Sequence, residues 1–176
     1  MISLEINQSA KAELSGNEIK ITGKLGTNTR KFSDTLIDVK IDNGKFIIDS
    51  KKDIKKMEKK ARKIEQTIAG ELSNDMEGVN KYFEINMQIV FAHFPITIET
   101  ANGMFYIKNM IGERAKRATK IINNTKVEIN GQKIKIYGTS KDDVTQTAAN
   151  IRKICKIRHK DSRVFQDGVY YSMEEA

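Results

Sequence analysis

Val127-Glu128-Ile129-Asn130-Gly131-Gln132-Lys133-Ile134-Lys135-Ile136 alternates apolar and polar residues on both sides of Asn130-Gly131, and Gly138-Thr139-Ser140-Lys141-Asp142-Asp143-Val144 follows at once. The first run has period two, as a strand with one buried face does, and Asn-Gly supplies the positive φ of a tight hairpin turn. The second sets a serine three residues ahead of an aspartate where an apolar-periodic segment begins, the mark of a helix N-cap. Hairpin, cap and helix therefore succeed one another between Val127 and Cys155. The same order occurs earlier. Val39, Ile41, Lys45, Phe46 and Ile48 stand 88 residues before Val127, Ile129, Lys133, Ile134 and Ile136, and Ser50-Lys51-Lys52-Asp53-Ile54 stands 90 before Ser140-Lys141-Asp142-Asp143-Val144. A shared order of hairpin, cap and helix points to duplication. The chain reads as α+β, with two tandem duplicated domains at residues 1–80 and 81–176, each an antiparallel sheet packed against one amphipathic helix.

The rest of the chain fits around these units. Residues 1–49 read as strands, with Gly23-Lys24-Leu25-Gly26 and Asn43-Gly44 as turns. Behind the cap at Ser50, Ile54, Met57, Ala61, Ile64, Ile68 and Leu72 form one helical stripe, and Lys55, Lys56, Lys59, Lys60 and Lys63 lie on other faces. The lysines read as a solvated face in preference to an RNA contact, and Gly70 and Gly78 leave the helix end open. Lys81 to Phe91 reads as a long strand, interrupted by His93-Phe94-Pro95 and resumed at Ile96–Thr100. Ala101-Asn102-Gly103 makes a hairpin turn into Met104–Lys108, and the basic segment Arg114 to Lys120 reads as an exposed loop or short turn.

With 31 Lys+Arg against 23 Asp+Glu, the net charge is +8, which points to an acidic partner such as nucleic acid or anionic lipid. The surplus belongs to the second half: 15 bases against 5 acids lie between Lys108 and Arg163. The single cysteine excludes an intrachain disulfide and fits a reducing compartment. No run approaches the length of a membrane span, and no signal-peptide pattern opens the chain. The expectation is a soluble intracellular protein.

The residues offer no catalytic set. One Cys and two His without paired spacing make no zinc site of known type. Cys155 falls on the apolar side of its helix, where free cysteine acts as a small hydrophobe. Gly23-Lys24-Leu25-Gly26 is too short for a phosphate-cradling loop. Asp142-Asp143 suits a helix N-terminus through the macrodipole, and His93 reads as a packed or hydrogen-bonded strand-end histidine. The C-terminal segment differs. Arg152, Lys153, Lys156, Arg158, His159, Lys160 and Arg163 lie within twelve residues, dense enough to neutralise phosphates. Phe165, Tyr170 and Tyr171 interleave as surfaces on which unpaired bases stack. Phe165 and Val169 also read as anchors of the tail, the preferred role for those two, whereas contact is preferred for the arginines and lysines.

This stretch resembles the archaeal and eukaryotic branch of the large-subunit ribosomal protein number six family. The match is carried by Gly138-Thr139-Ser140-Lys141-Asp142-Asp143-Val144, Gln146-Thr147-Ala148-Ala149-Asn150-Ile151-Arg152 and Lys160-Asp161-Ser162-Arg163-Val164-Phe165-Gln166-Asp167-Gly168-Val169-Tyr170. Supporting matches are Ile89–Ile96, Ile111–Ala115 and Asp75–Val79 with Phe83. The resemblance implies two tandem α+β domains of duplicated fold in a structural constituent of the large ribosomal subunit, cytoplasmic and without enzymatic activity or cofactor. It implies binding to large-subunit ribosomal RNA, mainly through the C-terminal domain, near the elongation-factor site and stalk base, with ribosomal proteins as neighbours. The RNA-contact set expected is Arg114, Lys116, Arg117, Lys141, Arg152, Lys153, Lys156, Arg158, His159, Lys160, Arg163, Gln166 and Tyr170. Lys and Arg would clamp phosphates, while Gln166, His159 and Tyr170 would read ribose or base edges. The alternative is a stand-alone module, either regulatory and RNA-binding or meeting an acidic protein. An enzyme acting on RNA ranks third.

Overall fold

The computed structural model describes residues 2–6, 10–32, 37–42, 44–50, 58–158, 160–161 and 163–172. The chain divides into two units, Met1–Tyr82 and Phe83–Ala176. In the first, β1 (Ile2–Glu5) is followed by the meander β2 (Lys11–Ser15), β3 (Glu18–Thr22) and β4 (Thr27–Lys31). The hairpin β5 (Ile37–Asp42) and β6 (Lys45–Ser50) comes next, then α1 (Glu58–Gly78). The second unit repeats the scheme. It runs through β7 (Phe83–Val90), the meander β8 (Thr97–Ala101), β9 (Met104–Lys108) and β10 (Arg117–Lys120), the hairpin β11 (Lys126–Asn130) and β12 (Lys133–Gly138), and α2 (Lys141–Ile154). It adds β13 (Gly168–Tyr171), which has no counterpart among the described residues of the first unit.

Each unit holds an antiparallel sheet packed against its one helix, as expected, and a second three-stranded sheet besides. Sheet orders are β1-β6-β5 and β2-β3-β4 in the first unit, and β11-β12-β7-β13 and β10-β9-β8 in the second. The run at Ile96–Thr100 is therefore not a continuation of β7 but part of a strand in another sheet. The segment Arg114 to Lys120 is likewise a loop only in its first part. Residues Arg117–Lys120 form β10 and pair with β9, Ala118 facing Tyr106 and Thr119 facing Phe105.

Both hairpins behind the repeat are formed, with Val39 opposite Ile48 and Val127 opposite Ile136. Ser140 caps α2, its hydroxyl accepting from the Asp143 N–H at 3.3 Å. Asp142 and Asp143 occupy the first turn, where the helix dipole favours carboxylates. Lys51–Asp53, on which the corresponding cap rests, lie with Ile54 and Met57 outside the described residues. Further along α1, Ala61, Ile68, Leu72 and Met76 are buried. The helix runs through Gly70 because burial of Leu72 and Met76 outweighs the roughly 1 kcal/mol that a glycine costs mid-helix. Lys59, Lys60 and Lys63 are exposed, as a solvated face requires.

Each unit has its own core. Ile19, Ile21, Ile37, Phe46, Ile48, Leu72 and Val79 fill the first, and Met87, Phe105, Ile107, Met110, Ile134, Ile136, Val144, Ala148 and Ile151 the second. Gly23 is fixed by close approach: a Cβ there would lie 2.6 Å from Val79 Cγ2 and 2.7 Å from the Val79 carbonyl oxygen. In the first unit Asp75, 3% exposed, takes a two-pronged contact from Arg30, with Nε to Oδ2 at 2.6 Å and Nη2 to Oδ1 at 3.2 Å. No helix among the described residues is long and apolar enough to cross a membrane.

Candidate nucleic-acid interface

The helix α2 and the strand β13 are both anchored to the sheet of β7, and their spacing leaves a groove. α2 buries Val144, Thr147, Ala148 and Ile151, and Cys155 continues that stripe beyond its last turn. The stripe follows 3.6-residue periodicity, so Arg152 and Lys153 are carried to the opposite, solvent side. β13 pairs antiparallel with β7, Val169 opposite Ile89 and Tyr170 opposite Gln88. Alternation then buries Val169 at 1% exposure and leaves Tyr170 at 42%. Between the two elements lies a groove of about 560 Å³. Arg152, Lys153 and Lys156 line its helix side, and Phe165, Tyr170 and Tyr171 its strand side.

Asp167 fastens the tail that forms the strand side. Its side chain is fully buried, and its oxygens accept from the Ala92 N–H at 2.9 Å and the His93 N–H at 3.3 Å, with His93 Nδ1 3.2 Å away. Burial alone would raise this carboxyl, but the donors from Ala92, His93 and Phe94 more than offset it and hold it below its ordinary value. The His93 ring then meets Phe165, with centroids 5.0 Å apart. Asp161 closes a tight turn by accepting the Arg163 N–H at 2.9 Å on its side chain and the Phe165 N–H at 2.9 Å on its carbonyl. That turn holds Arg163 out in solvent, its side chain 91% exposed.

Several cations rest on aromatic faces. Arg152 lies 5.5 Å from the Tyr171 ring centroid, Lys160 4.6 Å from Phe165, Lys116 4.5 Å from Tyr106 and Lys141 5.7 Å from Phe83. Such contacts contribute about 0.5–1 kcal/mol each at exposed sites and settle long side chains while their donors stay in water. Arg114, Lys153, Lys156 and Arg158 are exposed, and Gln166 is exposed with its amide donating to the Arg163 carbonyl at 3.2 Å. His159 lies outside the described residues.

Arg117 stands apart from this set because its donors are spent inside the fold. Nε reaches Glu113 at 2.8 Å, and Nη1 donates to the Ile154 carbonyl at 2.6 Å and the Lys156 carbonyl at 3.1 Å. The first is a carbonyl that the end of α2 leaves unpaired, and the second lies two residues beyond it. Arg117 thus ties the meander to the helix end that carries Arg152, Lys153 and Lys156. The loop leading to it turns through three left-handed residues, Asn109, Ile111 and Gly112, and so brings Arg114 to the surface.

Two residues that the sequence did not single out support the site. Asp167 reads as half of an Asp-Gly turn, yet its partners lie 74 and 75 positions away. Glu113 precedes Arg117 by four residues, a spacing at which opposite charges commonly pair. As for chemistry, no group of three or more His, Cys, Asp or Glu is placed to hold a metal among the described residues. Burial pushes the Cys155 thiol up to about 12, so it stays protonated at neutral pH and is a poor nucleophile.

Residues 95–168 match the family described as ribosomal protein L6. The chain is 38% identical over 168 residues to the large ribosomal subunit protein uL6 of Methanocella arvoryzae, covering 95% of this chain and 93% of the relative. It is 37% identical to that of Methanosarcina mazei, covering 96% and 93%, and 33% identical to that of Methanobrevibacter smithii, covering 98% and 94%. The chain belongs to the ribosomal protein L6 family.

Proposed function

We propose that the chain is a structural constituent of the large ribosomal subunit, held in the cytoplasmic ribosome by binding large-subunit ribosomal RNA. Residues 81–176 carry that binding, residues 1–80 form the companion domain, and the bound position is near the elongation-factor site and stalk base. The observation that carries the reading is the groove, with Arg152, Lys153 and Lys156 on one side and Phe165, Tyr170 and Tyr171 on the other. Cations there neutralise phosphates and release counterions, the exposed Tyr170 and Tyr171 rings accept the faces of unpaired bases, and Phe165, against His93 and Lys160, anchors the tail. Arg158, Lys160 and Arg163 in the adjoining tail, and Arg114, Lys116 and Lys141 elsewhere on the same unit, supply further phosphate contacts in this reading. The names of the relatives point the same way.

Sedimentation with purified large subunits tests the reading. The protein is expected in the subunit fraction at low salt and in the supernatant at high salt. A variant with Arg158, Lys160 and Arg163 changed to alanine should leave at lower salt than the wild type. A wild-type protein that never joins the subunit fraction, or a triple variant released at the wild-type salt concentration, sinks this assignment.

A further inference from the structure

We infer that the outer edge of β1 is a docking site for an extended peptide strand of a partner protein, laid where β13 lies in the second unit. The duplication fixes the correspondence residue by residue. Lys45 pairs with Glu5 and Phe46 with Leu4, while Lys133 pairs with Gln88 and Ile134 with Met87. The ladders also continue alike, through Ile6 N–H to the Gly44 carbonyl at 3.0 Å and Ile89 N–H to the Gln132 carbonyl at 2.8 Å. Ser3, Leu4, Glu5 and Ile6 are therefore the counterparts of Asn86, Met87, Gln88 and Ile89.

In an antiparallel strand, alternate residues turn both backbone groups to the same neighbour. Ile6 and Ile89 face the hairpin, so Ser3 and Glu5, like Asn86 and Gln88, face away from it. In the second unit that side is filled: Tyr170 pairs with Gln88, and the Ser172 N–H donates to the Asn86 carbonyl at 2.9 Å. In the first, β1 ends the sheet order, and no strand among the described residues pairs with its outer side. The packing registers the difference. Met87 and Ile89 are 1% and 5% exposed, whereas Leu4 and Ile6 are only half-buried.

The occupant follows from the same comparison. What closes this edge in the second unit is a short strand, Gly168-Val169-Tyr170-Tyr171-Ser172, with an apolar residue turned to the core. A partner segment with apolar residues at alternate positions would cover Leu4 and Ile6 and bond Ser3 and Glu5, the mode called strand addition. A nucleic-acid strand suits the edge less, because it offers no ladder of backbone N–H and C=O groups to pair with those of Ser3 and Glu5.

The test uses the full chain, isotope-labelled, with a synthetic peptide of the sequence Gln166–Ser172 as the probe. At saturating peptide the amides of Ser3 and Glu5 should exchange on the order of tenfold more slowly. Those of Leu4 and Ile6, already bonded within the sheet, should change less. Ser3→Pro removes one outward donor at an edge position that tolerates proline, and it should abolish the slowing at Glu5. The proposal is overturned if Ser3 and Glu5 are unaffected at millimolar peptide, or if the peptide perturbs only β7 by displacing β13. It is overturned equally if a single-stranded oligonucleotide produces the same slowing, or if the protein pairs with its own copies at this edge.

Discussion

Replacing Asp167 by alanine should loosen the tail that forms one side of the groove, and the cost can be worked from its contacts. The carboxylate accepts from two backbone N–H groups and the His93 ring nitrogen, at 2.9, 3.3 and 3.2 Å. Each orphaned donor costs about 1–3 kcal/mol, and partial access of water to His93 pulls the sum to the lower end, so Asp167→Ala should lose about 2–4 kcal/mol. For a unit of this size that lowers the melting temperature by about 10–20 °C. Asp167→Asn keeps the shape and one acceptor and should lose less.

Acidity separates the two effects of the side chain. The folded carboxyl lies below its ordinary value of 3.8, so between the folded and unfolded values the unfolded chain binds more protons. The stability it contributes is complete above about pH 4 and is lost as the pH falls through the folded value. Thermal unfolding followed by circular dichroism at neutral pH and through the acid range should show the wild-type advantage over Asp167→Asn shrinking with acidity. A gap that does not change with pH, or an Asp167→Ala protein within about 0.5 kcal/mol of wild type at neutral pH, refutes the reasoning.

Two further predictions concern the residues that hold each unit together. Arg117→Ala strips the Ile154 and Lys156 carbonyls and Glu113 of their partner and should cost about 2–3 kcal/mol in urea unfolding. Arg117→Lys should recover little, since one ammonium does not reproduce the guanidinium fork. In the first unit Asp75→Ala should cost about 2 kcal/mol by removing the two-pronged partner of Arg30, which keeps Glu71 at 3.0 Å, and the loss should appear in amide exchange of β3 and β4 with the second unit unchanged.

What the sequence made legible was local. The alternation around Asn130-Gly131, the Ser140 cap and the stripe from Val144 to Cys155 each depend on residues a few positions apart, and each is formed as read. Sheet membership is not set by alternation alone. Ile96–Thr100 carries the same alternation as β7 and reads as its continuation, while the hairpin turn at Asn102-Gly103 pairs Thr97–Ala101 with β9 in another sheet. The helix through Gly70 shows tertiary burial overriding an intrinsic preference. At the interface, residue type exposed the cationic segment and the aromatic rings but not their support. Asp167 and Arg117 look like a turn residue and a surface base until the chain brings Ala92, His93 and Ile154 against them.

The most direct measurement is the salt dependence of binding to large-subunit ribosomal RNA, comparing wild type with a variant in which Arg152, Lys153 and Lys156 are alanine. Each neutralised phosphate contributes about 0.7–0.9 to the log–log slope, so losing three cations at the groove should flatten it by about 2–3. An unchanged slope and affinity in the variant would contradict the claim that this groove binds the RNA.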